Sequence, residues 1–412
     1  MTETDRRTFL IQSAGALAGI ALLPDLSLSA PTLAAEGCAV GVVGIGRQGR
    51  AIIGELQKIE GIRIAAICDS DPGRLKAGQG RVAGANAYAT HRELLDKEKD
   101  VQAIFIATPT HLHSAIVVDA TQAGRHVYCE APLAHTAEDA RIIADAARAS
   151  AKLFHCGYEG RSNPIYKLAR TFYKTEAVRD LISIYAQHQR KTSWRTAASD
   201  PARDAQVNWR LDPNVSIGLA GELGSHQYDV VNWYLGRLPE RVRGTGAVRF
   251  YQDGRTIADT IRLTFTYADG IEFAHHATLA NSYGGAYETF HGSNAAIKLA
   301  WSHGWMFKEA DAPTQGWEVY ANRQQFHNDE GITLIADATK LASQGKLKEG
   351  IGLPHPALYY AVGDFLSSVT TGKPVSCGIE DGLIATLMGI AANRAILTRE
   401  DQMLGEQLKK GG

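Results

Sequence analysis

Val40-Gly41-Val42-Val43-Gly44-Ile45-Gly46-Arg47-Gln48-Gly49-Arg50 is the stretch whose reading decides the fold. An apolar run breaks into Gly-x-Gly-x-x-Gly and continues into a helical pattern of Ala51, Ile52, Ile53 and Leu56. The order implied is a buried strand, a tight glycine turn and a helix N-terminus. Such a turn needs positive φ and no side chain where a pyrophosphate comes close, and the helix end offers free N–H groups and its positive dipole. Gly44, Ile45, Gly46, Arg47, Gln48 and Gly49 are therefore the expected phosphate cradle. A second apolar run, Ile62 to Cys68, ends in Asp69. That acid stands about 20 residues past Gly49, the spacing of a group that binds an adenosine ribose. A chance glycine-rich turn would not bring strand, helix and acid into register.

The chain of 412 residues is too long for one typical core, so two domains are expected. A net charge of −1 excludes a general nucleic-acid or membrane surface. Five cysteines, an odd number, give no disulfide framework, and Cys68 and Cys129 read as small core residues. Asp5-Arg6-Arg7-Thr8-Phe9-Leu10, followed by an apolar run from Ile11 to Leu23, looks like a twin-arginine export signal. Cleavage is expected after Ala30, Ala34 or Ala35, and the run falls short of the roughly 20 apolar residues of a membrane span. Such a signal implies passage through the twin-arginine translocase after folding, a periplasmic or otherwise exported location, and a cofactor taken up beforehand.

From Cys38 to His155 strand and helix patterns alternate. Val101–Ala107, His126–Cys129 and Leu153–Cys156 read as strands; His91–Leu95, Leu112–Ala123 and a helix capped by Thr136 lie between them. Asp71 to Gly84 reads as a polar, Gly-rich connection. The alternation predicts an α/β protein with a doubly wound parallel sheet, whose ligands bind at the strands' carboxyl ends. Gly44, Asp69, Thr108, Pro109, Glu130 and Tyr158 are then expected around one crevice. Period-2 segments at Leu181–Gln189, Arg241–Phe250, Thr260–Tyr267, Ile271–Leu279 and Glu288–Leu299 predict a second, α+β domain with an open, mainly antiparallel sheet.

Thr108-Pro109-Thr110-His111-Leu112-His113, Tyr128-Cys129-Glu130-Ala131-Pro132-Leu133, Gly157 to Tyr166, Trp209-Arg210 and Glu222-Leu223-Gly224-Ser225-His226-Gln227-Tyr228-Asp229 together resemble the glucose–fructose oxidoreductase / inositol dehydrogenase (Gfo/Idh/MocA) family. The resemblance covers nearly everything after the signal. It implies a Rossmann domain at 36–156, a substrate and oligomerisation domain at 157–376, and a C-terminal helix at 377–412 that packs back on the Rossmann domain. It also implies a sugar, polyol or glycoside substrate, a homodimer or homotetramer, and a cofactor site that takes in His113 and Pro132 besides the crevice residues. NAD is expected rather than NADP, since Asp69 would repel a 2′-phosphate, with Arg74 the one nearby cation.

His226 matches the family's general acid/base histidine and Glu222 its nearby acid, with Glu in place of the usual Asp. The spacing of Glu222, His226, Asp229 and Trp233 would put all four on one helical face, Glu222 one turn before the histidine whose tautomer it would fix. A satisfied buried histidine at a domain junction is the alternative. Tyr158 is either a third catalytic residue or a core tyrosine. Arg161, Trp194, Trp209, Arg210 and Asp229 are the candidate substrate contacts, aromatic and arginine groups suiting sugar faces and hydroxyls. The pattern departs from the family at Ala131, where its dehydrogenases carry the Lys of Glu-Lys-Pro. Alanine cannot hold a hydroxyl or polarise a carbonyl. Lys191 is read as a solvated surface lysine, with entry into the site as the alternative. No metal ligand set is apparent.

Two function classes follow, and a third stands behind them. One is a net oxidoreductase with tightly bound cofactor, in which His226 takes the hydroxyl proton. Another resembles the family's NAD-dependent glycosidases, which lack the lysine and oxidise the sugar transiently, with no net redox. The third is a non-catalytic sugar- or dinucleotide-binding relic. Residues 301–348 are read as an insertion or a subunit arm.

Overall fold

The computed structural model describes residues 37–175, 177–315, 318, 321–336, 341 and 352–405. The signal lies outside the described residues, as does part of the segment 301–348 read as an insertion or a subunit arm. Two compact units emerge. The larger holds the described residues up to Ser162, Ala186–Ala286 and those from Ala357 onward; the smaller holds Asn163–Tyr185 and Tyr287–Pro356.

In the larger unit β1 (Cys38–Val43), β2 (Ile62–Cys68), β3 (Asn86–Tyr88), β4 (Ala103–Ile106), β5 (His126–Cys129) and β6 (Phe154–Cys156) form one parallel sheet in the order β3-β2-β1-β4-β5-β6. All six residues of β1 are buried, as a strand covered on both faces requires. The helices between are α1 (Arg47–Leu56), α2 (Pro72–Gln79), α3 (His91–Lys97), α4 (His113–Gln122) and α5 (Ala137–Ala149). α5 buries Ala140, Ile143, Ala144 and Ala147, and Thr136 caps it by accepting from Asp139 N–H. α2 was expected as a connection, because it carries no apolar stripe and buries only Gly78. Asp71 caps it, accepting from Arg74 N–H, and Pro72 stands in its first turn. All five cysteines are buried and unpaired.

The second strand set is mainly antiparallel. The larger unit holds β8 (Arg241–Ala247), β9 (Thr260–Thr266) and β10 (Glu272–Thr278), with β16 (Gln402–Met403) on β8. Ile261, Leu263, Phe265, Phe273, His275 and Ala277 alternate into its buried face. The smaller unit holds β12 (Ala295–Ala300), β13 (His303–Lys308), β14 (Arg323–Gln325) and β15 (Glu330–Thr333), with α6 (Pro164–Tyr173) packed on β12 and β13. The division between units runs through β7 (Leu181–Gln189) and β11 (Ala286–Gly292). The segment expected as one strand over 288–299 is a hairpin of β11 and β12. Its turn is fixed by Ser293 and Asn294, whose N–H groups donate to the Asp180 and Val178 carbonyls.

α7 (Pro201–Val207), α8 (Gly218–Glu222), α9 (Gly224–Leu235), α10 (Ala357–Thr371) and α11 (Ile379–Thr398) complete the described helices. α11 contacts α5, α8, α9, β6 and β8, all within the larger unit. The Thr386 hydroxyl accepts from Leu133 N–H at 3.0 Å, joining α11 to the loop after β5.

Candidate active site

A cleft of about 1240 Å³ opens at the carboxyl ends of β1, β2, β4 and β5, entirely within the larger unit. Gly44, at φ +92°, makes the first turn, and Gly46 has nothing within 4 Å of where a Cβ would stand. A Cβ on Gly49 would fall 1.8 Å from the Gly44 carbonyl, so only glycine lets α1 approach β1 so closely. The α1 N-terminus has no side-chain cap, leaving N–H groups free for an anion. Thr108 Oγ1 is buried on the cleft wall without a partner. These features fit a dinucleotide pyrophosphate. Ile45 itself points its side chain into the core, and its N–H donates to Asp69 at 2.7 Å. Asp69 also accepts from Asp71 N–H at 2.9 Å, so it pins the glycine loop, and its spare lone pairs remain for ribose hydroxyls.

Several expected cofactor contacts are placed differently. His113 lines the cleft but is buried, its two ring nitrogens 3.1 Å from the Leu133 carbonyl and 3.0 Å from the Thr108 carbonyl. Burial lowers it to about 4, so the neutral ring donates to one of the two and staples those loops together. Pro109 and Glu130 line the cleft; Pro132 does not. Gln48 Nε2 donates to Glu130 Oε1 at 3.1 Å. Burial pushes Glu130 up to about 7, against the Gln48 and Ala131 hydrogen bonds and the Arg210 charge.

His226 lines the same cleft from the first turn of α9. Burial, then the nearby His188, lowers it to about 4, so the ring is a neutral proton acceptor near pH 7. Tyr158 does not line the cleft. It packs its ring edge-on against His226 at 5.2 Å, and its buried hydroxyl lies 3.3 Å from Thr386 Oγ1. Tyr158 therefore supports the histidine from the core side.

The expected continuous helix through Glu222 and Asp229 is broken at Leu223. Glu222 ends α8, and its Oε2 accepts from Thr110 Oγ1 at 3.1 Å and stands 3.9 Å from Arg210 Nε. Its Oε1 is buried without a partner. No hydrogen bond joins it to His226 among the described residues, which corrects the expectation that it fixes that ring. Burial pushes Glu222 up to about 7, against the pull of Arg210 and Thr110.

Trp194, Trp209 and Arg210 line the cleft together. The Arg210 guanidinium stands 4.4 Å from the Trp209 ring and 5.9 Å from Trp194. Trp194 holds φ +60°, a left-handed backbone rare for a bulky residue. Arg161 and Asp229, by contrast, do not line the cleft. Arg161 Nε donates to both Asp229 oxygens at 2.9–3.0 Å, and Arg161 Nη1 reaches Asp381 at 3.0 Å, away from the cleft lining. Lys191 is exposed, its Nζ 5.1 Å from the Phe250 ring, and no lysine lines the cleft among the described residues. Sequence reasoning missed Glu159, which lines the cleft three residues past the end of the last Rossmann strand, and Thr110. No described cluster of three or more His, Cys, Asp and Glu is placed to hold a metal. No helix among the described residues is long and apolar enough to cross a membrane.

The strand order and the glycine cradle define a Rossmann protein built to hold a dinucleotide. The chain belongs to the Gfo/Idh/MocA oxidoreductase family, matching its NAD-binding Rossmann fold over 38–158 and its C-terminal alpha/beta domain over 184–401. It is similar to levoglucosan dehydrogenase of Pseudarthrobacter phenanthrenivorans, 26% identical over 173 residues that make up 42% of each chain. It is 24% identical to myo-inositol 2-dehydrogenase of Thermotoga maritima over 89% of this chain and 98% of that one. The solved levoglucosan dehydrogenase in complex with NADH and L-sorbose has the same fold, with a TM-score of 0.72 at 19% identity over 90% of this chain and 99% of that one.

Proposed function

We propose that this protein is a carbohydrate oxidoreductase that retains NAD as a prosthetic group. The observation that carries the reading is one cleft lined by both the glycine cradle with Asp69 and the neutral His226. Bound nicotinamide supplies a hydride acceptor. His226 accepts the proton of the reacting hydroxyl, and Arg210 with Trp194 and Trp209 offers a cation and aromatic faces to a sugar. The relatives that act on levoglucosan and inositol support a sugar or polyol as substrate.

NAD is favoured over NADP by the ion pairs at the ribose end. Arg203 pairs with Asp71, and Arg74 Nε stands 4.0 Å from the same carboxylate. Both cations are engaged, and Asp69 faces the cleft as an anion acceptor of hydroxyls rather than phosphate. Arg203 comes from α7, so its pair with Asp71 ties α7 to the loop after β2, across one edge of the cleft. That tie supports slow cofactor release, which suits a protein exported with its cofactor inside.

The absence of a lysine from the cleft lining among the described residues favours a second reading: transient oxidation of a glycoside, with hydride returned in the same cycle and no net redox. One experiment separates the two. Purified protein is denatured and the released dinucleotide identified, and the intact protein is followed at the reduced-nicotinamide absorbance band while sugars and aryl glycosides are added. A lasting absorbance change with one sugar is expected. Glycoside cleavage without it selects the second reading, and absence of any dinucleotide or affinity for one overturns both.

A further inference from the structure

One carboxyl group on the cleft wall has no part in the chemistry above. β5 and β6 run side by side with Cys129 opposite Cys156, and Gly157 N–H donates to the Cys129 carbonyl at 2.8 Å. Glu130 and Gly157 therefore meet at the carboxyl ends of neighbouring strands. A Cβ on Gly157 would lie 3.0 Å from a Glu130 carboxylate oxygen and 3.2 Å from Ala131 N. Two residues on, Glu159 begins a 3-10 turn (Glu159–Arg161) and lines the cleft with Glu130 and Ala131. Gln48 holds Glu130 in place. No hydrogen bond or ion pair holds the Glu159 carboxyl among the described residues, so it is free to serve a ligand.

We propose that Glu159 is a hydrogen-bond donor to the substrate: its carboxyl O–H, beside Glu130, holds the oxygen of the reacting carbinol in the space that Ala131 leaves open. This rests on the oxidoreductase reading and adds a catalytic residue to it. His226 still takes the hydroxyl proton; no electron or proton need leave Glu159. The donor keeps the oxygen fixed while the carbon loses hydride, and polarises the C=O bond when hydride returns.

The surroundings keep the proton in place. Burial, then the Glu130 charge, then that of Glu55, raises Glu159 to about 8. The Glu130 charge opposes ionisation of Glu159, and burial opposes ionisation of both, so the two together retain a proton near neutrality. The other titratable groups around the turn leave that balance intact. Glu55 is paired with Lys58 at 2.7 Å, α9 brings neutral His226 and the Arg161-bound Asp229, and α10 brings Tyr359 and Asp364. A carboxylic acid kept neutral by its site so that it can donate is an established device of enzymes.

The test compares wild-type holoenzyme with E159Q and E159A. Dinucleotide content, reduction rate of the bound cofactor by the responding sugar across pH, and the infrared band of protonated carboxyls are measured for each. Wild-type reduction should fall as pH rises past about 8. E159A should keep its dinucleotide and lose about 10²–10³-fold in rate. E159Q, which keeps an N–H donor, should be faster than E159A and lose the alkaline fall, and the carboxyl band titrating near that pH should be missing from it. A wild-type rate and alkaline fall in E159A, or persistence of that band in E159Q, would overturn the assignment while leaving the oxidoreductase reading intact. Wild-type protein without dinucleotide would overturn both.

Discussion

Replacing Arg161 with Met tests whether the Arg161–Asp229 pair is structural or touches substrate. Asp229 is 1% exposed, Arg161 about a tenth, and both carboxylate oxygens accept from the guanidinium at 2.9–3.0 Å. Removing the cation leaves Asp229 buried without its counter-charge, which costs about 3–5 kcal/mol. D229N should cost less, because Arg161 keeps Asp381 at 3.0 Å, and that partner is 36% exposed. The double variant R161M/D229L replaces the pair with apolar groups of similar length. It should be less destabilised than R161M alone, since a buried pair and an apolar substitute are often of near-equal stability. Urea unfolding followed by both circular dichroism and tryptophan fluorescence gives the midpoints, and coincidence of the two probes licenses the free energies. The responding sugar's KM is measured on the same variants. An R161M protein with the wild-type midpoint and a raised KM would refute the structural reading and return Arg161 to the substrate site.

The two glycines of the cradle should separate by substitution. G49A drives a methyl group into the Gly44 carbonyl at 1.8 Å and should lose about 1–3 kcal/mol together with dinucleotide retention. G46A meets nothing within 4 Å in the protein, so it should melt normally and lose only the dinucleotide; retained dinucleotide in G46A would displace the pyrophosphate from this loop. Stability should peak at mildly acidic pH. His113, His188, His226 and His275 are lowered from 6.5 to between about 3 and 4, so the stability they carry is full above 6.5 and lost as pH falls through their folded values. Glu130, Glu159 and Glu222 are raised from 4.5 to about 7–8, so theirs is full below 4.5 and lost as pH rises through 7–8. Thermal melting across pH should show a maximum between these limits, and a midpoint that keeps rising through pH 8 would contradict the assigned burial of the three glutamates.

The Rossmann half was legible because its chemistry is local. Gly44, Gly46 and Gly49 occupy fixed steps of one turn, and Asp69 follows at the end of the next strand, so spacing alone carries the geometry. α2 was not legible because its stability comes from Asp71 and Pro72 at its start rather than from an apolar stripe, only Gly78 being buried. The β11–β12 hairpin was hidden for a related reason. Its turn is held by carbonyls of Val178 and Asp180, over a hundred residues earlier in the chain, and the local turn signal, Gly292-Ser293-Asn294, is only three residues long.

The cleft wall was harder to read, because the identity of a charged residue says nothing about what neutralises it. Arg161, Arg210 and Asp229 were equivalent as candidates for substrate contact, and Glu222 was read as the partner of His226. Folding spends Arg161 on Asp229 inside the core, while it leaves Arg210 40% exposed beside Glu222 on the wall. The helical spacing of Glu222 and His226 suggested a pair, but the break at Leu223 turns Glu222 to Thr110, more than a hundred residues away in sequence. Glu159 carried no signal as a lone acid between Tyr158 and Gly160. It acquires meaning only because β5 and β6 are neighbours, which brings it onto the same cleft wall as Glu130 and Ala131. A missing side chain in a familiar motif is therefore a reason to search the adjoining strand end for its replacement.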